Sequence, residues 1–153
     1  MKTMRGFTLI ELIVVVAIFA ITITLAIPNF RLMVATNRQA TGANMLISSF
    51  QLARSEAITR SQSVRITATN GNWVNGWSID VVDDGTNIQR HEAMAPQFNI
   101  ASTATAFTYS PQGRLAIAPP QTIDLCDDRT GEIGRRLTLE PIGRVSVSQL
   151  TCP

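Results

Sequence analysis

The 153-residue chain has few of the residue types on which most catalytic and metal sites depend. It contains one lysine, Lys2, one histidine, His91, and two cysteines. A structural zinc site needs about four Cys or His ligands at characteristic spacings, and the chain has no such pattern. A phosphate-binding loop is missing too, because the segment 71–76 has turn residues but no following Lys-Ser/Thr pair. We therefore expect no enzyme, no cofactor and no metal site.

Three further features could carry chemistry, and each has a simpler explanation. His91 stands between Arg90 and Glu92 in a polar stretch, which is typical of a surface residue rather than a general base. The acidic clusters Asp83-Asp84-Gly85 and Asp127-Asp128 could chelate calcium, but aspartate and glycine also favour turns. Because no ladder of ligands like that of an EF-hand surrounds either cluster, we expect turns at both places.

Net charge is small as well. The chain has 13 Lys and Arg residues against 11 Asp and Glu residues, a net charge of +2, and 45% of its residues are hydrophobic. This composition and length fit one globular domain, and they exclude a disordered tail, a collagen-like repeat and a strongly basic nucleic-acid wrapper. Lys2 and Arg5 account for the whole positive excess, so the remainder of the chain is neutral.

One long hydrophobic segment lies near the N-terminus. Residues 7–27 carry a single charged side chain, that of Glu11, and would form a helix about 31 Å long, enough to cross a bilayer core. Lys2 and Arg5 precede the segment, which predicts a cytoplasmic N-terminus and an exported remainder. A cleaved secretory signal is the alternative, but the apolar run is longer than usual and no A-x-A site follows it. A carboxylate in the membrane costs about 2.5 to 3.5 kcal/mol, so Glu11 needs a partner.

The order of residues at this N-terminus is specific. A short basic leader, residues 1–6, ends in Gly6, and Phe7 and then Glu11 follow it. This pattern resembles the leader and first helix of type IV pilins and type II secretion pseudopilins. The resemblance implies cleavage between Gly6 and Phe7 by an inner-membrane prepilin peptidase, followed by N-methylation of Phe7. The new amine would lie one helical turn from Glu11, which could pair with it in the same chain or in a neighbouring subunit as an assembly register.

The rest of the chain predicts an α+β domain, residues 28–153. We expect a kink or local melting at Pro28 and then an amphipathic helix that ends near Ser61. The apolar positions of this helix are Leu46, Phe50, Ala53 and Ala57. The positions expected on its wetter side are Arg38, Arg54 and Arg60. Candidate strands are 64–68, 76–82, 87–92, 98–101, 105–109, 115–117, 122–126, 135–139 and 144–148. A long N-terminal helix, transmembrane in its first half (residues 7–27), would pack on antiparallel sheet in a pilin-like α+β fold.

Features beyond the apolar segment 7–27 resemble the GspH/FimT branch in particular. They are the segment 52–58 with Arg60, two Gly-Arg turns and the cysteine pair. The branch comprises minor pseudopilins of type II secretion and minor pilins of type IV pili. The resemblance implies a single-pass inner-membrane protein with a periplasmic domain. It would assemble with other subunits, at an inner-membrane platform, into a pilus, a pseudopilus or the initiating tip complex. A domain anchored in the membrane without filament assembly is the alternative.

The two cysteines, Cys126 and Cys152, lie in the part of the chain that is predicted to be periplasmic. Disulfides form and persist in that compartment. We expect a disulfide between them rather than two free thiols, and it would contribute about 3 kcal/mol through loop-closure entropy.

A second possible function is DNA binding during natural transformation. Arg135, Arg136 and Arg144 are predicted on or beside tight glycine turns, where guanidinium groups could grip phosphates. In the FimT branch, a C-terminal Gly-Arg-x-Arg motif is associated with DNA binding. This chain keeps the first Gly-Arg pair but has Ser146 in place of the second arginine, whose charge Arg114 or the Arg135-Arg136 pair could replace. Alternatively, the arginines are solvated and offset by nearby acidic residues.

Overall fold

The structure is a computed structural model that describes residues 8–129 and 131–153, with the backbone alone at positions 25, 28 and 29. Two compact units follow each other along the chain, Met1–Asn37 and Arg38–Pro153. The first element, helix α1 (Leu9–Arg60), has 52 residues and contributes to both. Its length and its end agree with the sequence-based prediction, whereas the predicted start at Phe7 lies outside the described residues.

Helix α1 is uninterrupted at Pro28, so the local melting predicted there is wrong. A proline removes one backbone hydrogen bond from a helix. Once the helix is nucleated, each residue on either side of Pro28 adds a backbone hydrogen bond, and a helix of this length has many such bonds. The loss of one bond is therefore too small to divide α1.

Within the second unit, one stripe of α1 is buried. Ala43, Leu46, Phe50, Ala53 and Ala57 are at most 2% exposed, and they recur at spacings of three and four residues. This stripe includes every apolar position predicted from the sequence. Three of its five members are alanines, which allow close approach to the α1 backbone.

The rest of the second unit consists of two four-stranded antiparallel sheets. The strands are β1 (Val64–Ala68), β2 (Trp77–Val81), β3 (Asn87–His91), β4 (Asn99–Ser102), β5 (Ala106–Tyr109), β6 (Gln121–Cys126), β7 (Ile133–Leu139) and β8 (Val145–Thr151). The first sheet has the order β3-β2-β1-β5, and the second has the order β4-β6-β7-β8. Short 3-10 turns at Thr69–Gly71 and Trp73–Asn75 connect β1 to β2.

Strand alternation selects the side chains that enter the core. In β1, Ile66 is fully buried, and it is paired with Ile79 of β2 on one side and Phe107 of β5 on the other. Phe50 of α1 meets Trp73 and Phe107 at ring-centroid distances of 5.9 and 5.5 Å. The helix and the first sheet therefore share an aromatic core, and aromatic pairs of this kind add to simple area burial.

One predicted strand does not form. Residues 115–117 make only an isolated bridge, between Leu115 and Tyr109. The backbone N–H of Leu115 instead donates to the carbonyl of Pro141 at 3.0 Å, and that of Ala116 donates to Thr108 at 3.2 Å. Two prolines follow at positions 119 and 120, and neither has an N–H to donate to a strand ladder. The segment consequently stays a loop.

Candidate assembly helix and arginine-bearing turns

The N-terminus of α1 is closed by a reciprocal pair of side chains. The Glu11 carboxylate oxygen Oε2 accepts from the backbone N–H of Thr8 and from its hydroxyl, both at 3.0 Å. In return, the backbone N–H of Glu11 donates to the Thr8 hydroxyl oxygen at 3.3 Å. This arrangement is a capping box, which satisfies donors that the first turn of a helix leaves without partners. The Thr-x-x-Glu pattern at residues 8–11 is the sequence signature of this motif.

The predicted register site is thus described only in part. Gly6 and Phe7 lie outside the described residues, so pairing between Glu11 and an amine at Phe7 stays a prediction. What the structure adds is a second task for Glu11, because its carboxylate holds the first turn of its own helix. Thr8 therefore supplies hydrogen bonds to the carboxylate for which the sequence predicts a partner.

The first unit leaves the apolar side chains of α1 uncovered. Every large hydrophobic side chain that is described between Leu9 and Val34 is exposed, from 76% at Leu9 to 37% at Val34. Among the residues whose side chains are described, no helix is long and apolar enough to cross a membrane. Contiguous exposed apolar surface of this extent marks a site of contact with other apolar groups.

Two turns of the same sequence type, residues 110–114 and 140–144, lie in contact with each other. Both read x-Pro-x-Gly-Arg, and in both the glycine has a positive φ, +70° at Gly113 and +83° at Gly143. Gly113 N–H donates to Ser110 and Gly143 N–H donates to Glu140, each at 2.8 Å. A Cβ at Gly143 would collide with the carbonyl oxygen of Gly113, so only glycine permits this contact.

Helix α1 packs against this pair of turns through Arg54. Its Nη2 donates to the carbonyl of Ile142 at 3.3 Å. Its Nε lies so close to both Gly113 and Gly143 that a Cβ on either residue would be 3.1 to 3.2 Å from it. Arg54 is half-buried, because the two turns cover part of the wetter side of the helix on which it was predicted. The Ile142 carbonyl satisfies one donor of the guanidinium, whereas the buried Nε has no hydrogen-bond partner among the described residues. Nearby, burial raises the pKa of Tyr109, and the positive charge of Arg54 opposes that rise.

The arginines that were predicted to act together divide into two groups. Arg114 and Arg144 are exposed on the two touching turns. Arg135 and Arg136 lie inside β7 rather than at a turn, so that part of the prediction is wrong. Because neighbouring strand residues point to opposite faces of a sheet, Arg135 and Arg136 do not share a surface. The pattern had suggested a turn at Gly134, but this residue has no positive φ and continues the strand.

Arg136 is also occupied. Its Nε and Nη2 donate to the two carboxylate oxygens of Asp124, each at 2.6 Å, across the β6–β7 pair. This bidentate hydrogen bonding raises the pKa of Arg136. A guanidinium whose Nε–Nη2 edge is held by a carboxylate, and whose charge that carboxylate offsets, has less to offer an external phosphate than those of Arg114 and Arg144.

The predicted disulfide is confirmed. Cys126 of β6 is bonded to Cys152, just beyond β8, with their Cα atoms 5.9 Å apart. The bond crosses over β7 at Gly134, where a Cβ would lie 2.5 Å from the Cys152 Sγ and 2.7 Å from the Leu125 carbonyl oxygen. Gly134 is therefore needed for space, and the disulfide joins β6 to the residue that follows β8, with β7 between them.

His91 and the acidic turns have local partners. The imidazole of His91 is half-buried rather than on the surface, stacks on Trp77 with centroids 4.8 Å apart, and places Nε2 3.1 Å from the Ser49 hydroxyl. Asp84 accepts from the Thr86 N–H at 2.9 Å, which lowers the pKa of that carboxyl. Asp127 pairs with Arg129. Across residues 8–129 and 131–153, no group of three acidic, His or Cys side chains is placed to hold a metal ion.

Comparison with known sequence families agrees with this architecture. Residues 42–143 match the model of a family described as type II transport protein GspH. The chain belongs to the GspH family. Residues 1–27 match the prokaryotic N-terminal methylation motif. The GspH domain and this motif confirm the predicted structural role, that of a minor pilin or pseudopilin which is membrane-anchored and assembles with other pilin-type subunits.

Two solved structures share the fold of this GspH-family chain. Both are crystal forms of the type IV minor pilin FimU from Pseudomonas aeruginosa (strain PAO1). The form in space group P21 has a TM-score of 0.66 and 24% identity, covering 74% of this chain and 90% of FimU. The form in space group P65 has a TM-score of 0.63 and 23% identity, covering 71% and 91%. No curated protein sequence gives a significant match. The likeness confirms the pilin-like α+β fold.

Proposed function

We propose that this chain is held in the bacterial inner membrane as a single-pass prepilin with residues 28–153 in the periplasm. After leader cleavage, α1 would build it into a pilus, a pseudopilus or the initiating tip complex. The observation that supports this proposal best is the uncovered apolar surface of α1 between Leu9 and Val34, next to a leader that matches the methylation motif.

The same apolar surface suits both the prepilin in the membrane and the subunit in the assembled filament. Lipid tails are about as apolar as leucine side chains, so a helix leaves the bilayer for a bundle of other helices without losing an apolar environment. The first turn carries the one acidic residue of this segment, Glu11, and the capping box with Thr8 keeps its carboxylate bonded. An amine at Phe7 of the same chain or of a neighbour would complete its pairing.

Leader processing gives the direct test. Gly6→Ala should block cleavage by a co-expressed prepilin peptidase, so that the full-length variant migrates more slowly than the wild type on a denaturing gel. Gly85→Ala is the matched control, because Gly85 lies in an open turn with no neighbouring atom within 4 Å of a built Cβ. Equal mobility of Gly6→Ala and wild type, with the peptidase active on a known substrate, would contradict the proposal.

DNA binding is the second candidate, and one observation favours it. The two glycine turns touch each other, and each carries one exposed arginine, Arg114 or Arg144, although these are 30 positions apart in sequence. Nonspecific binding by arginines needs only clustered positive charge at phosphate spacing. The candidate site is therefore the turn pair, without Arg136.

A gel-shift titration of the full chain in detergent with random duplex DNA tests this candidate. Arg114→Ala and Arg144→Ala should each weaken binding and reduce the slope of log K against log salt by about 0.9. Arg136→Ala, which removes a paired arginine, is the control and should change the slope little. If no band is retarded at physiological salt, the DNA hypothesis is wrong, and the structural role is unaffected.

A further inference from the structure

Exposed isoleucine and arginine side chains surround the two touching glycine turns. Ile142 is 55% exposed, and Ile58, near the end of α1, is 49% exposed. Ile58 contacts the other turn, since a Cβ on Gly113 would lie 2.7 Å from its Cδ1. Arg114 and Arg144, which end the two turns, are exposed as well. We name Ile58, Ile142, Arg114 and Arg144 the turn-pair patch.

The turn-pair patch is positively charged. Arg54, which donates to the turn 140–144, adds a third guanidinium beside it. The one acidic side chain in either turn is that of Glu140, so three positive charges meet one negative charge. Within the part of the chain that the structure describes, none of these three arginines forms an ion pair. The excess positive charge is therefore left for an external partner to offset.

Three contacts hold the two turns in place. The Leu115 N–H donates to the Pro141 carbonyl at 3.0 Å, and the Arg54 guanidinium donates to the Ile142 carbonyl at 3.3 Å. The glycines of the two turns also touch each other. A surface that is already ordered loses little conformational entropy when a partner binds. The turn-pair patch is therefore organised for binding before any partner arrives.

The mixture of side chains favours a protein partner over DNA. Contacts with phosphates use cations and hydrogen-bond donors, and an aliphatic side chain supplies neither. Protein interfaces, in contrast, combine apolar anchors with arginine and exclude water around them. Two isoleucines that are about half exposed, next to two exposed arginines, fit that pattern. The complementary surface is an apolar patch surrounded by acidic side chains.

We propose that the turn-pair patch binds a different pilin-type subunit through an acidic, partly apolar surface of that subunit. The inference rests on the proposed function, because assembly is what places other pilin-type subunits beside this chain. Two copies of the chain that met through this patch would bring like charges together, which disfavours a symmetric dimer. Ile58 belongs to the last turn of α1, whereas the uncovered apolar segment is at the start of that helix. The two contacts therefore use separate parts of the chain.

Photo-cross-linking of the full chain, in a host that makes the prepilin peptidase and its other pilin-type subunits, tests the contact. A photoreactive benzoylphenylalanine replaces Ile142, and the matched control carries it at Ile133, an isoleucine of β7 that is 54% exposed. Position 142 should give about tenfold more product with another pilin-type subunit, identified by mass spectrometry, than position 133. A product made of two copies of this chain, or equal yields at both positions, would overturn the proposal.

Substitutions separate this contact from DNA binding. Ile142→Ser should reduce co-purification of the cross-linked subunit about tenfold, a loss of about 1.4 kcal/mol, whereas Ile133→Ser should not. The gel shift with random duplex DNA should be unchanged in both variants. Arg114→Glu combined with Arg144→Glu should reduce co-purification further, because it reverses the charge that faces the acidic surface. Unchanged co-purification in Ile142→Ser would overturn the proposal, and a weaker gel shift in its place would assign the patch to DNA.

Failure of the proposed function gives a different result. Benzoylphenylalanine in place of Phe19, which is 62% exposed in the apolar segment of α1, reports assembly through that helix. A cross-link to another pilin-type subunit from position 19 without one from position 142 overturns the turn-pair contact alone. If leader cleavage and both cross-links are absent, the proposed function fails together with this contact.

Discussion

Two parts of one helix treat their hydrophobic side chains in opposite ways. Between Leu9 and Val34, in the first unit, all described large apolar side chains are exposed. Between Ala43 and Ala57, in the second unit, one stripe of them is buried against the two sheets. The first part is apolar on every side and the second on one side only. The pattern of polar residues, rather than hydrophobicity alone, therefore separates a surface that needs other molecules from one that the chain covers itself.

The sharpest test of this contrast replaces one phenylalanine by alanine in each part of the helix. Phe50→Ala empties a fully buried site and should lower the free energy of unfolding of the second unit by about 3 to 5 kcal/mol. Phe19→Ala removes a side chain that is 62% exposed and should leave that value unchanged. Denaturant titration of the full chain in detergent, followed by tryptophan fluorescence, measures both. Equal effects would show that the two parts do not differ as described.

The disulfide should matter only to the second unit. Replacing Cys126 and Cys152 together by serine should reduce its stability by about 3 kcal/mol. The reason is that the unfolded chain regains the conformational entropy that a closed 26-residue loop removes. Hydrogen exchange resolved along the sequence should show faster exchange in β6–β8 and unchanged exchange at residues 12–24. A Gly134→Ala variant tests the same disulfide with both sulfur atoms in place, because the Cβ of the new alanine would collide with the Cys152 Sγ.

The turn pair that holds Arg54 gives an effect of intermediate size. Gly143→Ala combines an unfavourable positive φ with a collision against the Gly113 carbonyl, and should cost about 2 to 3 kcal/mol. Gly85→Ala has a similar φ of +70° in open space and should cost only about 1 to 2 kcal/mol. The difference between the two unfolding free energies isolates the contact. Equal losses would mean that the turns can move apart freely.

The smallest expected effect belongs to the first unit. Thr8→Ala removes the side chain of the capping box and should destabilise the first turn of α1 by about 1 kcal/mol, whereas Thr8→Ser should retain the cap. Amide exchange at residues 9–12 should accelerate about fivefold in the alanine variant, with no change in the second unit. Unchanged exchange would show that Glu11 is not engaged in this cap.

Much of the fold follows from local patterns. The helix from residue 9 to residue 60 and most strands were predictable, because hydrophobic period and turn residues act over a few positions. Residues 115–117 were not predictable in this way, since Leu115 bonds to Pro141, a residue distant in sequence. The partner of Arg54 was not predictable for the same reason, because Ile142 is 88 positions away in sequence.

The candidate site shows the same division. Gly6, Phe7 and Glu11 stand out in the sequence as a motif, and so does the Thr8 cap, although the reasoning from the sequence overlooked it. The arginines were different, because the sequence shows where they are in the chain but not which of them lie on the same surface. Sequence proximity suggested that Arg135 and Arg136 act together, whereas strand geometry places them on opposite faces of the sheet. Arg114 and Arg144 instead lie on two glycine turns that touch each other.

By itself the sequence determined the leader motif, the all-round apolar helix, the two cysteines and an α+β domain, since each of these depends on composition or short-range periodicity. Tertiary structure alone decided which arginines lie exposed on turns and which pair across a sheet, that the disulfide crosses a strand at Gly134, and that the second sheet has uncharged edges. These features depend on strand order and on the packing of segments far apart in the chain. Such relations arise only when the entropy of long loops has been overcome by burial of a common core.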